Sequence, residues 1–276
     1  ALTRLARTRC GSIARPALGA SAVDLASPVE AVICLGREKG ANRARDLLES
    51  FGSKLARQRH VVGSAAELRQ FQPLLVAEAA GHGALKMYGA EVLQGGADLI
   101  VTSVGALADG ELRGQLDAAA QSSGASYHLC PGAVGGLDLL AAAKLSGLDE
   151  VVYTSRKPPK AWMGTPAEKA VDLAALMSAH VFYEGAAASA ARDYPQNANV
   201  AATVALIGAG FDATRVRLIA DPTVSRNIHE ISVRSKSVDF ELRIEGRPSP
   251  DNPKTSLTTG YALARQILDN LKLSRQ

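Results

Sequence analysis

Between residues 29 and 147, short apolar runs alternate with amphipathic stretches, and this alternation constrains the fold more than any other feature of the chain. Runs at 29–35 (VEAVICL), 74–80, 98–104 and 126–130 read as buried strands. Between them, 42–51, 85–94 and a segment from Asp109 to Gly124 carry apolar residues at helical spacing. In the last, Leu112, Leu116 and Ala120 share one face, and Asp109 is the expected N-cap. A strand that returns parallel to its neighbour needs a crossover, and an amphipathic helix supplies it. The pattern therefore predicts a parallel sheet with helices on its faces.

Beyond about residue 132 the texture changes. A glycine-rich turn, PGAVGG at 131–136, leads into a helix at 137–145 that Gly147 ends. A strand at 151–155 is followed by a helix at 166–179 with Pro166 in its first turn, a short strand at 181–183 and a small-residue helix at 199–207. Strands at 216–220, 228–233 and 240–244 then follow without helices between them, which predicts an antiparallel or mixed sheet. The 276 residues suffice for two ordinary domains.

Composition excludes several function classes. Aromatic residues are 4% of the chain, too few for a surface that stacks on bases. The formal charge of +4 and a pI near 9.0 arise from scattered residues with no block of like charge. Such a surface attracts phosphates or dicarboxylates mildly and does not read as a nucleic-acid footprint. Cys10, Cys34 and Cys130 lie far apart without C-x-x-C spacing, so neither a disulfide framework nor a zinc site is expected, and a cytoplasmic location fits. No apolar stretch approaches the ~18 residues of a membrane helix. Residues 1–23 contain Arg4, Arg7, Arg9 and Arg15 and no acid, which loosely resembles an organelle-targeting segment. The reading taken is a first strand and helix of unusual composition.

A dinucleotide-binding domain opens with a strand and G-x-G-x-x-G, its pyrophosphate resting on a helix N-terminus. The nearest match is Arg9-Cys10-Gly11-Ser12-Ile13-Ala14, in which only the middle glycine is kept. Gly11 and Ile13 are expected to offer backbone groups to the pyrophosphate, Ala14 is an acceptable third position, and Arg9 stands where the tight turn wants glycine. An ordinary glycine turn is the competing reading. After the next strand, Cys34-Leu35-Gly36-Arg37 has no acid for a ribose hydroxyl, and Arg37 is placed for a 2′-phosphate, so NADP is expected beside NAD. A solvated surface arginine is the alternative. Gly81, ending the run at 74–80, is expected at the same cofactor edge. The fold class expected is α/β. A Rossmann-like dinucleotide-binding domain spans 1–132, and a C-terminal α+β catalytic and dimerisation domain with a mixed or antiparallel sheet spans 133–256. The final helix, within 257–276, packs back on the first domain.

From about residue 95 onward the chain resembles the L-aspartate dehydrogenase family. The segments that carry the resemblance are 95–107 (GGADLIVTSVGAL), 131–138 (PGAVGGLD), 153–162 (YTSRKPPKAW), 194–203 (YPQNANVAAT), 218–230 (LIADPTVSRNIHE) and 252–256 (NPKTS). It covers about two thirds of the chain strongly and extends more faintly to the altered glycine motif. The resemblance implies an NAD(P)-dependent enzyme that interconverts aspartate with oxaloacetate plus ammonia through iminoaspartate, commonly as a homodimer joined through the second domain. It implies that Ala133 and Asn199 contact the nicotinamide cofactor and that His229 is the catalytic acid/base.

Read without the resemblance, Asn199 is a helix cap and His229, sharing a strand face with Ile231 and Val233, is a satisfied core histidine. For a dicarboxylate substrate, Lys157 and Lys160, with Arg156, are candidate partners in RKPPK. Lys254 and Thr255 are candidates at the start of the last helix, where anions are favoured. A solvated turn accounts for these charges equally well. The competing class is an impaired relative of the same fold with weak cofactor affinity, owing to Arg9 and a polar first strand or to an altered start. A nucleic-acid role rests on pI alone.

Overall fold

Six parallel strands in the order β3-β2-β1-β4-β5-β6 form the first sheet. They are β1 (Arg4–Thr8), β2 (Val29–Leu35), β3 (Ala56–Val62), β4 (Leu75–Glu78), β5 (Asp98–Val101) and β6 (Tyr127–Leu129). The crossovers are α1 (Ala14–Asp24), α2 (Ala41–Phe51), α3 (Ala65–Gln70), α4 (His82–Gln94) and α5 (Gly110–Ser123). The structure, a computed structural model, describes residues 4–8, 13–25, 27–36, 40–195, 198–249 and 252–273. The chain divides into two units, Ala1–Cys130 with Thr259–Gln276, and Pro131–Thr258.

In the first unit the strand order reverses between β1 and β4, the switch point at which open α/β sheets bind ligands beyond their carboxyl ends. The core joins Val32, Cys34, Leu75, Ala77 and Ile100 of the sheet to Ala14, Ala17 and Leu18 of α1 and to Leu47 and Leu48 of α2. The last helix, α10 (Leu257–Leu273), adds Leu263, Ala264, Ile267 and Leu271 to this cluster, a spacing that lays one helical stripe on the core. Gly260 lets α10 approach α1: a Cβ there would meet Pro16 Cγ at 2.5 Å. At α5 the expected cap is present, Asp109 accepting from the amides of Glu111 (3.1 Å) and Leu112 (3.3 Å). Gly124 ends the helix in the left-handed region.

The second unit is built on a mixed sheet ordered β11-β10-β7-β9-β8. Its elements are α6 (Leu137–Ser146), β7 (Leu148–Lys157), α7 (Ala167–Ala170), β8 (His180–Ala186), α8 (Ala187–Asp193), α9 (Asn199–Ile207), β9 (Thr214–Ala220), β10 (Asn227–Ser235) and β11 (Phe240–Gly246). A small pair, β12 (Pro248–Ser249) and β13 (Asn252–Ser256), follows. β7 runs antiparallel to β10 and parallel to β9. One face of this sheet carries Val151, Tyr153, Val216, Leu218, Ile231 and Val233 into a core closed by Leu140, Ala201, Val204, Ala205 and Trp162. The other carries paired charges, among them Arg234–Glu150 at 2.9 Å, Arg217–Glu184 at 3.2 Å and Arg243–Glu230 at 3.6 Å. Exposed pairs of this kind add little stability each.

The helix expected at 166–179 is corrected: only Ala167–Ala170 is helical. Val171 turns to extended backbone, and Asp172 accepts from the amides of Ala174 (3.0 Å) and Ala175 (3.3 Å). A short polar side chain thus offers the backbone an alternative to the helical ladder. No described helix is long and apolar enough to cross a membrane.

Candidate active site

Successive residues of a strand point to opposite faces, so Tyr153, Ser155 and Lys157 of β7 share one face while Thr154 and Arg156 take the other. In the antiparallel register His229 of β10 stands opposite Ser155, and Ile231 opposite Tyr153. The inward face therefore gathers a phenol, a hydroxyl, an ammonium and an imidazole at the end of an otherwise apolar core. All four are buried, His229 at 5% and Lys157 at 6% exposure.

Each of these groups is held or tuned by what it touches. The Tyr153 hydroxyl and His229 Nδ1 are 2.7 Å apart, and the two rings lie near parallel, 15° apart, with centroids 6.1 Å apart. Burial raises the Tyr153 pKa well above that of an ordinary phenol. The nearby Ser155 hydroxyl opposes that rise, although Ser155 Oγ is buried and makes no hydrogen bond of regular geometry among the described residues. Lys157 Nζ lies 4.7 Å from the Trp162 ring centroid, and Trp162 Nε1 is fixed by donating to the carbonyl of Ile219 at 3.0 Å. Burial lowers the Lys157 pKa to about 8. His229 is lowered to about 3, first by burial and then by the charge of Lys157. The imidazole is thus uncharged across the physiological range.

Arg156 belongs to the opposite face. Its guanidinium donates to Asp221 Oδ2 at 2.9 Å and lies 3.9 Å from Glu230, so this candidate for the substrate is engaged within the protein. Asp221 in turn accepts from the amide and hydroxyl of Thr223 (2.8 and 2.6 Å), and its own amide donates to the carbonyl of Lys157 at 2.9 Å. The carboxylate thus steadies the end of β7.

The structure brings His229 and Lys157 together; the other expected residues are placed as follows. Ala133 is buried in the turn before α6, in which Gly132 and Gly136 have positive φ (67° and 70°). Gly136 is required twice, because a Cβ there would also meet Leu242 Cδ1 at 2.2 Å. Asn199 is the first residue of α9, whose N-cap is Ala198 without a side-chain cap, so the capping reading is corrected. Lys160 is exposed and lines a surface cleft with Pro159, Met163, Lys169 and Asp172. Thr255 and the backbone of Lys254 lie in β13. Gly11 and Arg37 lie outside the described residues, as do Arg9, Cys10 and Ser12.

In the first unit, Ile13 is the N-cap of α1, and its side chain packs against the core. α1 has no side-chain cap and no acid in its first turn. Gly81 opens α4 at φ 104°, with open space where a Cβ would stand. Buried Glu78, unremarked as a site residue from sequence, fixes that turn: its carboxylate accepts from the amides of Ala80 (2.7 Å) and Gly81 (2.9 Å). The strand order and the open glycine turn fit a dinucleotide phosphate. The period of two along 153–157 puts Tyr153 and Ser155 on the face of Lys157, but nothing in the sequence joins them to His229. Among the described residues no cluster of side chains suits a metal ion.

Two family descriptions cover most of the chain and meet between residues 129 and 138. The description "Aspartate dehydrogenase, C-terminal" matches residues 138–270, and "Homoserine dehydrogenase, NAD binding domain" matches residues 10–129. The chain is 42% identical to an L-aspartate dehydrogenase of Polaromonas sp., over 97% of each protein. It is 45% identical to one of Ralstonia nicotianae, over 83% of this chain and 84% of the relative. Its fold is similar to that of the aspartate dehydrogenase of Thermotoga maritima, with a TM-score of 0.70 at 24% identity, covering 98% of this chain and 96% of that one.

Proposed function

Because the chain belongs to the L-aspartate dehydrogenase family, we propose that it interconverts L-aspartate with oxaloacetate and ammonia through iminoaspartate. It is an amino-acid dehydrogenase with an NAD-binding first unit, and the nicotinamide dinucleotide, when bound, supplies or accepts the hydride. The observation in the structure that carries the reading furthest is the buried pair of His229 and Lys157 on one sheet face. A cation and an uncharged imidazole at one site are what an anionic carbonyl substrate calls for: one group to hold a carboxylate, one to address the carbonyl oxygen.

In this reading His229 addresses the reacting centre. It acts there from its neutral form, because burial and the charge of Lys157 lower its pKa to about 3. Lys157, with its pKa near 8, is the member of the pair whose charge changes close to working pH, and as the ammonium it binds a carboxylate. Lys160, Lys254 and Thr255 are the further candidates for the dicarboxylate. Ala133 and Asn199 are assigned to the nicotinamide end. Gly11, Ile13 and Gly81 are assigned to the pyrophosphate end, and Arg37 to a 2′-phosphate, so that NADP serves beside NAD. A cytoplasmic homodimer joined through the second unit completes the proposal.

The test follows reduced-nicotinamide absorbance with oxaloacetate, ammonia and either NADH or NADPH, in wild type and His229→Ala. Ammonia-dependent oxidation that drops by about 100-fold or more in the variant is the expected result. The ratio of the two cofactors tests Arg37. A folded wild-type protein that turns over neither cofactor would transfer the chain to the impaired relatives of the family.

A further inference from the structure

A buried phenol that meets a histidine nitrogen has two proton arrangements open to it. Either the phenol donates to Nδ1 and the ring carries its proton on Nε2, or Nδ1–H donates to the phenol oxygen and the phenol proton goes elsewhere. The second arrangement needs another acceptor beside Tyr153. The hydroxyl next along the same face is Ser155, which acts on the phenol oxygen as a donor, opposing the rise in the Tyr153 pKa, and has no other partner among the described residues. With Ser155 donating to the phenol oxygen, the phenol proton is left to Nδ1, because a buried O–H without an acceptor is costly, and the first arrangement is favoured. The only hydrogen bond to the His229 ring among the described residues is the one at Nδ1, 2.7 Å long.

We propose that Tyr153 is the positioning residue of His229: its hydroxyl donates to Nδ1 and fixes the tautomer with the proton on Nε2, so that His229 meets the substrate as a hydrogen-bond donor. The inference rests on the reading above that His229 addresses the reacting centre. It changes what that residue does there. An Nε2–H polarises a carbonyl or carbinolamine oxygen and accepts no proton from it, the opposite of a histidine poised as a base.

The geometry is consistent on each side of the ring. The Tyr153 phenol is kept protonated by burial, so it remains a donor. Lys157, the charged group that acts on His229, opposes a second proton on the ring, which keeps Nδ1 an acceptor. The two rings lie near parallel, 15° apart, and meet end to end through this hydrogen bond.

The experiment is nitrogen NMR of the protein labelled at its five histidines, with the His229 signals assigned from their loss in His229→Gln. The expected spectrum has a protonated Nε2 and an unprotonated, hydrogen-bonded Nδ1. In Tyr153→Phe the Nδ1 signal shifts towards that of a free acceptor and the two tautomers mix. Turnover falls about tenfold while the dissociation constant for NADH, read by fluorescence, stays within about twofold. A wild-type His229 protonated at Nδ1 overturns the proposal, as does a Tyr153→Phe spectrum unchanged at both nitrogens. If Tyr153→Phe does not fold, the wild-type spectrum alone decides. The tautomer is read without turnover, whereas the role of His229 itself is read from His229→Ala, so the two claims fail separately.

Discussion

The carboxylate of Glu78 accepts both the amide and the hydroxyl of Ser103, at 2.9 and 3.0 Å, across the ends of two neighbouring parallel strands. The same carboxylate takes the amides of Ala80 and Gly81, and the Glu78 carbonyl takes the hydroxyl of Thr102 at 2.9 Å. One side chain therefore ties the turn into α4 to the chain leaving β5. Removing it strands several buried donors at once. Glu78→Ala is expected to cost about 3 kcal/mol in denaturant unfolding and to weaken NADH binding. Unchanged stability and affinity would show that this latch is dispensable.

Lys157 gives a pH signature for substrate binding. Burial holds its pKa near 8, below the ordinary 10.5, so the ammonium is present below that pH and lost above it. A bound carboxylate pulls the value back up, and affinity must therefore weaken as the free enzyme is titrated above about pH 8. The KM for oxaloacetate should rise across that range in wild type. In Lys157→Met it should be raised about tenfold or more at neutral pH and stay flat. A pH-dependent rise that survives in Lys157→Met would assign the effect to another group.

His229 predicts acid sensitivity of the fold. Its folded pKa of about 3 lies below the ordinary 6.5, so between those values the unfolded chain binds a proton that the folded chain refuses. Stability then falls as pH drops through that window, and the contribution is fully present above it. Thermal melts at about pH 7 and about pH 4 should show a smaller loss of Tm in His229→Gln than in wild type. Equal losses in the two proteins would mean that other groups carry the acid response.

Gly136 is held by both its backbone and its neighbour. With φ at 70° and Leu242 Cδ1 2.2 Å from a built Cβ, Gly136→Ala is expected to destabilise by about 3 kcal/mol. Adding Leu242→Ala should remove the steric part and leave the backbone part, so the double variant costs less than the sum of the two singles. Strict additivity in urea titrations would remove Leu242 as the cause.

What could be read from sequence followed how strongly each segment's burial shows in its pattern. The strand at 29–35 and the helix at 199–207 coincide with β2 and α9, because both are apolar almost throughout. β3 shows no strand pattern in its sequence, because ARQRHVV buries only its ends, Ala56 and Val62, while its backbone pairs with β2 regardless of side chains. β1 carries Arg4 and Arg7 yet pairs with both β2 and β4, again a matter of backbone ladder. The helix expected over 166–179 failed at Asp172, whose local hydrogen bonds no periodicity count includes. At the site, His229 and Lys157 were legible as residue types in long motifs. Tyr153, the partner of His229, is not, because it lies 76 positions from His229 and only the pairing of β7 with β10 joins them.

The alternation along β7 has a consequence for how this chain can change over evolutionary time. Lys157 and Arg156 are both cations, adjacent in sequence, yet one faces the buried imidazole and the other an ion pair with Asp221. Deleting a single codon upstream within this strand, with the far end held by the Asp221 amide, would turn the remaining upstream side chains over and send Tyr153 out to the charged side. Point substitutions can sample this segment one position at a time. Length changes cannot, so insertions and deletions should be absent between residues 153 and 157 in any descendant that still works.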